Sequence, residues 1–192
     1  MSKNHQPSDP WKVVQTLLEI PSPWVTVIAE QLQDNQGKIL EYWRVEKADS
    51  VVILTIQNQT LLLPRPMYRP GVGKTTLDFP GGRVSYEQTA LETVPIILQK
   101  ELGIKPSDID KITALNSDGW AINSSFSNQK LYGFVAEILP DILVSQEYLG
   151  ATYPTNILGI EDLLKDLVCL QCRGILLEWK HQFKISEYHE DQ

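Results

Sequence analysis

Residues 69–88 read RPGVGKTTLDFPGGRVSYEQ, and this stretch contains two glycine-rich sequences of the kind that bind phosphate. The first, GVGKTT, matches the end of a P-loop, which requires a glycine, four residues and then Gly-Lys-Ser/Thr. The first glycine would fall at position 68, which is Tyr68. Pro80 and the glycines after it also argue against the helix that must follow the loop and bind phosphate at its N-terminus. We therefore interpret GVGKTT as a surface turn and turn to the second sequence, FPGG.

The composition around this stretch is that of an ordinary globular protein. The chain has 192 residues, of which 42% are hydrophobic and 21% charged, enough for one domain with its own core. No apolar run approaches the roughly 20 residues of a membrane span, and MSKNHQPSDP lacks the apolar segment of a signal peptide. The net charge of −7 argues against nucleic acid as the main partner. We expect a cytoplasmic protein without a membrane span.

The part of the chain before FPGG is predicted to be rich in β-strands. ILEYWRV at 39–45 alternates as a strand does, and QDNQGK at 33–38 is typical of a hairpin turn. SVVILTI at 50–56 is a run of β-branched residues, which favours a buried strand. LLLPRP at 61–66 continues as a further strand after the turn QNQT.

The part after FPGG is predicted to mix helices and strands. Gly103 is a helix-stop signal for the segment before it. Hydrophobic periodicity predicts helices over 87–102, 160–172 and 175–183, and strands over 112–116 and 130–138. These elements together predict a single α+β domain.

Two cysteines, Cys169 and Cys172, have the CxxC spacing of zinc and redox sites. Structural zinc requires four ligands, and His5, His181 and His189 do not form a second pair at ligand spacing. A redox motif would begin a helix, whereas this pair falls late in the predicted helix 160–172. We interpret the cysteines as reduced thiols that pack one turn apart.

Several short segments, in the same order, resemble the Nudix hydrolases, specifically the ADP-ribose pyrophosphatase-like branch. The likeness extends from Trp11 to about Ile138 and includes DNQGKILEYWRV, SVVILTIQNQTLLLPRPMYRPGVGKTTLDFPGGRV and SDGWAINSSFSNQKLYGFVAEI. Around FPGG, Tyr68 and Arg69 match the family pattern, Asp78 stands for its glutamate, and Gly82 opens the Nudix box. The resemblance implies a mixed β-sheet between helices, with an N-terminal β-arm that resembles the dimerising arm of these enzymes.

The chain divides into three segments. Polar composition predicts a disordered N-terminus at 1–10, and the tail at 186–192 is acidic. Between them, the resemblance implies a single Nudix-like domain over 11–185. Within the domain, we expect the β-arm at 11–48, the Nudix core at 49–140 and C-terminal helices at 150–185.

The Nudix box departs from the family pattern where the family binds magnesium. When Gly82 and Gly103 are aligned, Gln88 takes the place of the first glutamate, and the Arg-Glu-aliphatic-x-Glu-Glu core becomes Ile96–Glu101. In the family these glutamates hold Mg²⁺ against the pyrophosphate. Here Ile97 offers no ligand, Lys100 carries an ammonium group, and Glu101 alone is kept. The sequence therefore predicts a homologue that has lost catalysis.

Pro95 lies within the predicted helix of the box. An interior proline removes a backbone hydrogen bond, at a cost of about 3 kcal/mol. The helix should therefore kink at Pro95 or begin late, with Thr93 as its cap.

We thus expect a regulatory or scaffolding module that binds a nucleoside diphosphate-type small molecule or a protein partner, with no cofactor, and that forms a homodimer through the arm. The alternative is a Mg²⁺-dependent hydrolase of ADP-ribose or related nucleoside diphosphate sugars, in which Glu101 would be the catalytic residue and metal ligand. The candidate ligand-binding residues are Arg69, Asp78, Gly82, Arg83, Lys100 and Trp120.

Overall fold

The computed structural model describes residues 10–183, which divide into two compact units. Of the described residues, the first unit contains 10–48 and 121–129, and the second contains 49–120 and 130–183. The N-terminal segment up to residue 9 and the predicted acidic tail lie outside the described residues.

The first unit is built on a three-stranded antiparallel sheet. Its strands are β1 (Lys12–Ile20), β2 (Thr26–Gln33) and β3 (Ile39–Glu46), in the order β1-β2-β3. The predicted hairpin between β2 and β3 is confirmed. Its turn is held by Asp34, whose Oδ1 accepts hydrogen bonds from the N–H groups of Gln36 and Lys38 at 2.9 Å each.

The second unit contains a mixed seven-stranded sheet and a separate two-stranded ribbon. Its strands are β4 (Ser50–Gln57), β5 (Thr60–Pro64), β6 (Met67–Arg69), β7 (Lys74–Thr76), β8 (Gly81–Arg83), β9 (Ile109–Ala114), β10 (Trp120–Ala121), β11 (Lys130–Ile138) and β12 (Leu149–Pro154). The order of the main sheet is β10-β11-β4-β5-β12, while β6 pairs with β7. β4 runs parallel to β11, and its other edge pairs first with β8 and then with β5. The glycines of FPGG therefore lie beside the central strand.

Three α-helices complete the second unit: α1 (Ala90–Leu102), α2 (Ile157–Asp166) and α3 (Leu170–Gln182). One side of the sheet packs against α1 through buried residues such as Ile53, Val94, Leu98 and Phe134. The α+β fold class is confirmed. Among residues 10–183, no helix is long and apolar enough to cross a membrane.

The start of α1 corrects two predictions. The helix begins at Ala90 rather than at residue 87, and Thr89 rather than Thr93 is its cap. The Thr89 side chain accepts a hydrogen bond from the N–H of Glu92, and the Glu92 carboxylate accepts one from the N–H of Thr89. This reciprocal capping box satisfies two N–H groups at the helix start. Pro95 lies inside the helix, which continues past it.

The helix predicted over 160–172 is wrong, because the chain leaves the helical path between α2 and α3. Leu167 forms an isolated β-bridge with Leu77. The guanidinium of Arg173 donates hydrogen bonds to the carbonyl oxygens of Leu164 and, at 3.0 Å, Leu167. These contacts end α2 and let α3 begin at Leu170, so the segment predicted as a short helix over 175–183 belongs to α3.

Candidate functional site

A cavity of about 510 Å³ opens in the second unit between the glycine-rich segment and the start of α3. Four of the six predicted ligand-binding residues line it, namely Arg69, Asp78, Gly82 and Arg83. Its other lining residues come from β4, the 71–81 segment and the stretch 168–172: Ser50, Val51, Val52, Gly71, Val72, Thr76, Phe79, Gly81, Val168, Cys169, Leu170, Gln171 and Cys172.

An ion pair between Arg69 and Asp78 lies at the wall of this cavity. Arg69 Nε donates to Asp78 Oδ2 at 2.8 Å, and the Thr76 hydroxyl donates to the same oxygen at 2.9 Å. The Asp78 side chain is only 11% exposed, whereas that of Arg69 is 47% exposed. Among residues 10–183, the hydrogen bond of Arg69 to Asp78 uses Nε, so its two terminal nitrogens can face an anionic group, which guanidinium binds in a bidentate manner.

The paired glycines of FPGG allow β8 to lie close to both β4 and α1. A Cβ atom on Gly81 would lie 2.9 Å from the carbonyl oxygen of Val51, and one on Gly82 would lie 3.2 Å from Cδ1 of Ile97. Larger residues would push the strand away from its neighbours. Glycine here therefore sets the distance between the cavity wall and the helix of the box.

Glu101 lies on α1 behind this wall. Its Oε2 accepts a hydrogen bond from the N–H of Gly81 at 3.1 Å. Burial raises the pKa of the Glu101 carboxyl, and the Gly81 N–H and the charges of Lys100 and Arg69 partly oppose that rise. Glu101 is thus held next to the cavity but is not among the residues that line it.

The start of α3 brings a group of cavity residues that the sequence analysis missed. Cys169 is the N-cap of α3, and Cys172 lies in its first turn, so the pair begins a helix instead of ending one. The thiol of Cys172 and, more weakly, the N–H groups of Cys172 and Gln171 lower the pKa of Cys169 to about 6, against the effect of burial. The hydrogen bond to Cys169 and burial raise the pKa of Cys172. The CxxC spacing was the signal, but no glycine or proline marks the helix break before it.

Comparisons with known proteins identify the architecture that carries this cavity. No family model and no curated protein matches the sequence. A matching solved structure is described as the crystal structure of an ADP compounds hydrolase. The two share 21% identity with a TM-score of 0.75, over 93% of this chain and 97% of the other. This chain has the Nudix fold. At that identity the likeness concerns the fold alone.

The Nudix resemblance implies metal-binding carboxylates on α1, and the residues at the aligned positions do not supply such a set. Ile97 is buried in the core, and the Gln88 side chain accepts a hydrogen bond from the Ser85 hydroxyl at 2.6 Å. Mg²⁺ prefers several oxygen ligands, usually carboxylates and water. Of these positions on α1 only Glu101 supplies a carboxylate. Within residues 10–183, a group of three side chains that could hold a metal ion consists of Asp78, Cys169 and Cys172.

Two predicted ligand residues lie apart from the cavity lining in this Nudix fold. Lys100 is exposed on α1, where its charge acts on Glu101. Trp120 lies in β10 and is 37% exposed. The structure therefore brings together Arg69, Asp78, Gly82 and Arg83, with Glu101 behind them, and leaves Lys100 and Trp120 outside that group.

Proposed function

We propose that this chain binds a nucleoside diphosphate-type ligand in the cavity, in a regulatory or scaffolding role, and has lost Nudix hydrolysis. The proposal rests on one combination of features. The cavity contains arginines, and the helix of the Nudix box has Ile97 and Lys100 where the resemblance implies metal ligands. The first turn of α3 supports it, because a helix N-terminus presents N–H groups and a positive dipole end to an anion. Arg69 and Arg83 supply side-chain charge on the same cavity.

Of the two altered box positions, Ile97 argues more strongly than Lys100 against magnesium binding. A unit charge about 4 Å from another costs about 4 kcal/mol at an effective dielectric constant of about 20. Lys100 is exposed, so its ammonium group can move into solvent and avoid most of that repulsion. Ile97 is fixed in the core and has no ligand atom. The missing ligand is therefore the main obstacle to a magnesium cluster.

The proposal is tested by calorimetric titration of the wild-type chain with ADP-ribose, NAD and a nucleotide sugar, without metal. We expect binding, and we expect Arg69→Ala to weaken it by about tenfold or more, equivalent to about 1.4 kcal/mol. Lys111→Ala is the matched control, since it removes a charge from β9 at a residue that does not line the cavity. Absence of binding for all three ligands, or equal affinity in Arg69→Ala, would contradict the proposal.

The second candidate is Mg²⁺-dependent hydrolysis of ADP-ribose or a related nucleoside diphosphate sugar. The retained Glu101, fixed by Gly81 beside the cavity, favours it, as does the likeness to an ADP compounds hydrolase. Incubation with ADP-ribose and Mg²⁺ or Mn²⁺ distinguishes the two candidates. AMP release that is lost in Glu101→Gln would establish the hydrolase, whereas binding without AMP release supports the non-catalytic role.

We also propose that the first unit forms a homodimer. This unit carries large apolar side chains that are exposed in the single chain. These are Trp11, Val13, Val14, Leu17, Leu18, Ile20, Trp24, Ile39 and Trp43. Monomeric proteins rarely leave contiguous apolar patches of large area in water. A second copy of the chain is the occupant that the β-arm resemblance implies; a different protein partner and the cytoplasmic location stay predictions.

A further inference from the structure

Three side chains with metal-binding atoms meet at one end of the cavity. Asp78 comes from the segment before FPGG, and Cys169 and Cys172 come from the start of α3. The carboxylate oxygen and the two sulfur atoms all lie within 4.8 Å of one another. The fold thus supplies a third ligand for the CxxC pair from a residue 94 positions away from Cys172.

The carboxylate of Asp78 is held in an orientation that suits a metal ligand. Its Oδ2 accepts hydrogen bonds from Arg69 Nε and the Thr76 hydroxyl, at 2.8 and 2.9 Å. Its Oδ1 lies 4.0 Å from Cys172 Sγ. Carboxylates that bind metals are typically fixed by such hydrogen bonds to the oxygen that does not face the ion. Asp78 therefore needs no new partner in order to present Oδ1 to the two sulfurs.

We propose that Asp78, Cys169 and Cys172 form a Zn²⁺ site. Thiolate sulfur and carboxylate oxygen are both zinc ligands, and a Zn–S distance of about 2.3 Å places two sulfurs of a tetrahedron about 3.8 Å apart. An inward shift of about 1 Å or less brings atoms within 4.8 Å of one another to that spacing. Sites with three protein ligands keep the fourth position for water or a bound molecule, and the cavity provides the space for it.

The charges at this site balance when zinc is bound. The carboxylate and two thiolates carry three negative charges, which Zn²⁺ and the guanidinium of Arg69 neutralise. The guanidinium of Arg69 is already paired with Asp78 in this group. A disulfide between the two cysteines would use neither Asp78 nor Arg69. The arrangement of these charged groups therefore favours a metal ion over a disulfide.

The test is a Co²⁺ and Zn²⁺ titration of the untagged, full-length chain in a thiol-free reductant, after removal of metal by a chelator. We expect one equivalent of Co²⁺ to bind, with a thiolate-to-cobalt charge-transfer band and the visible spectrum of a tetrahedral ion, and Zn²⁺ to abolish both. Cys169→Ser and Asp78→Asn should each weaken metal binding by about tenfold or more. Asp110→Asn, which removes an exposed carboxylate from β9, is the matched control.

Two results would overturn the proposal. One is failure of the wild-type chain to bind either ion when both of its thiols are reduced. Reaction of both cysteines with a thiol reagent after unfolding shows that they are reduced. The other is unchanged affinity and spectrum in Asp78→Asn, because the aspartate is what distinguishes this site from an isolated cysteine pair. Circular dichroism confirms that each variant is folded, and Cys169→Ser is used because Cys172 is buried. Since no nucleotide is present, the result is independent of the proposed nucleotide binding.

Discussion

Ile97 and Lys100 stand where the Nudix resemblance implies metal ligands, and the structure surrounds them differently. Ile97 is buried among core residues and packs against the backbone of Gly82. Lys100 is exposed one turn later on the same helix. A single exposed substitution reverses easily, but a buried apolar residue is coupled to the packing around it. The two positions therefore differ in how readily they can accommodate a carboxylate.

The first prediction tests that difference. We expect Ile97→Glu to lower the free energy of unfolding by at least about 3 kcal/mol, because it buries a carboxylate without a partner. Lys100→Glu should change it by about 0.5 kcal/mol or less, as expected for an exposed position. Urea denaturation followed by circular dichroism measures both values. Equal stability of Ile97→Glu and the wild type would show that position 97 tolerates a ligand, and would remove the main argument against a magnesium cluster.

At the scale of single elements, the start of α1 depends on the capping box of Thr89 and Glu92. The second prediction is that Thr89→Ala lowers the free energy of unfolding by about 1 kcal/mol, because an N–H group at the helix start loses its acceptor. Thr89→Ser keeps the hydroxyl and should keep most of the stability. Urea denaturation compares the three proteins. A Thr89→Ser variant as unstable as Thr89→Ala would assign the effect to the lost methyl group instead of the cap.

The contact between β12 and α2 includes a hydrogen bond from the Tyr153 hydroxyl to Asp166 Oδ2 at 2.6 Å. Burial and this bond to Asp166 raise the pKa of Tyr153 to about 12. The protonated phenol is favoured in the folded state, so its stabilising effect is complete below the ordinary tyrosine pKa of about 10. It is lost as the pH rises from there through the folded pKa.

The third prediction follows from the raised pKa of Tyr153. Tyr153→Phe should lower the free energy of unfolding by about 1 kcal/mol near neutral pH, since a largely exposed bond to a carboxylate is worth less than a buried one. The difference from wild type should shrink as the pH rises above about 10. Tyr86→Phe, at a fully exposed tyrosine, is the matched control. Denaturation curves at several pH values measure it, and a difference that grows with pH would contradict the assigned direction.

The elements also show which parts of the fold can be predicted from the sequence. SVVILTI predicted β4 because β-branched residues suit a strand buried on both faces. The capping box at Thr89 and Glu92 was present as a local pattern, although the predicted helix began before it. The break after Asp166 could not be predicted from local pattern, because the Leu77 bridge and the Arg173 guanidinium produce it over longer distances.

At the scale of the whole molecule, the candidate site combines residues that are close together in the sequence with residues that are far from them. Arg69, Asp78, Gly82 and Arg83 lie within fifteen consecutive positions, 69–83, so finding one of them located the others. Cys169 and Cys172 reach the cavity only because the sheet and the break before α3 bring the end of the chain back to its middle. The sequence could therefore identify one wall of the cavity and could not identify the other.

The first unit provides the last prediction. All nine residues of β1 are exposed in the single chain. Val13 and Ile20 are among its large apolar side chains, and the exposed Trp11 directly precedes the strand. Burial of such surface stabilises an interface by about 25 cal/mol per Å² before the costs of association are subtracted. We therefore expect the wild-type chain to sediment as a homodimer that dissociates on dilution.

Val13→Glu should favour the monomer, because dimerisation would then bury a carboxylate, whereas the monomer keeps it in water. We expect the dimer dissociation constant to rise by about tenfold or more, with little change in the stability of the monomer, since Val13 is 57% exposed. Gln15→Glu adds the same charge at an already polar position of β1 and is the control for charge alone. Sedimentation velocity over a range of concentrations measures all three proteins. A wild-type chain that stays monomeric throughout would contradict the homodimer. Equal weakening by both variants would assign the effect to net charge and leave the apolar surface of β1 outside the interface.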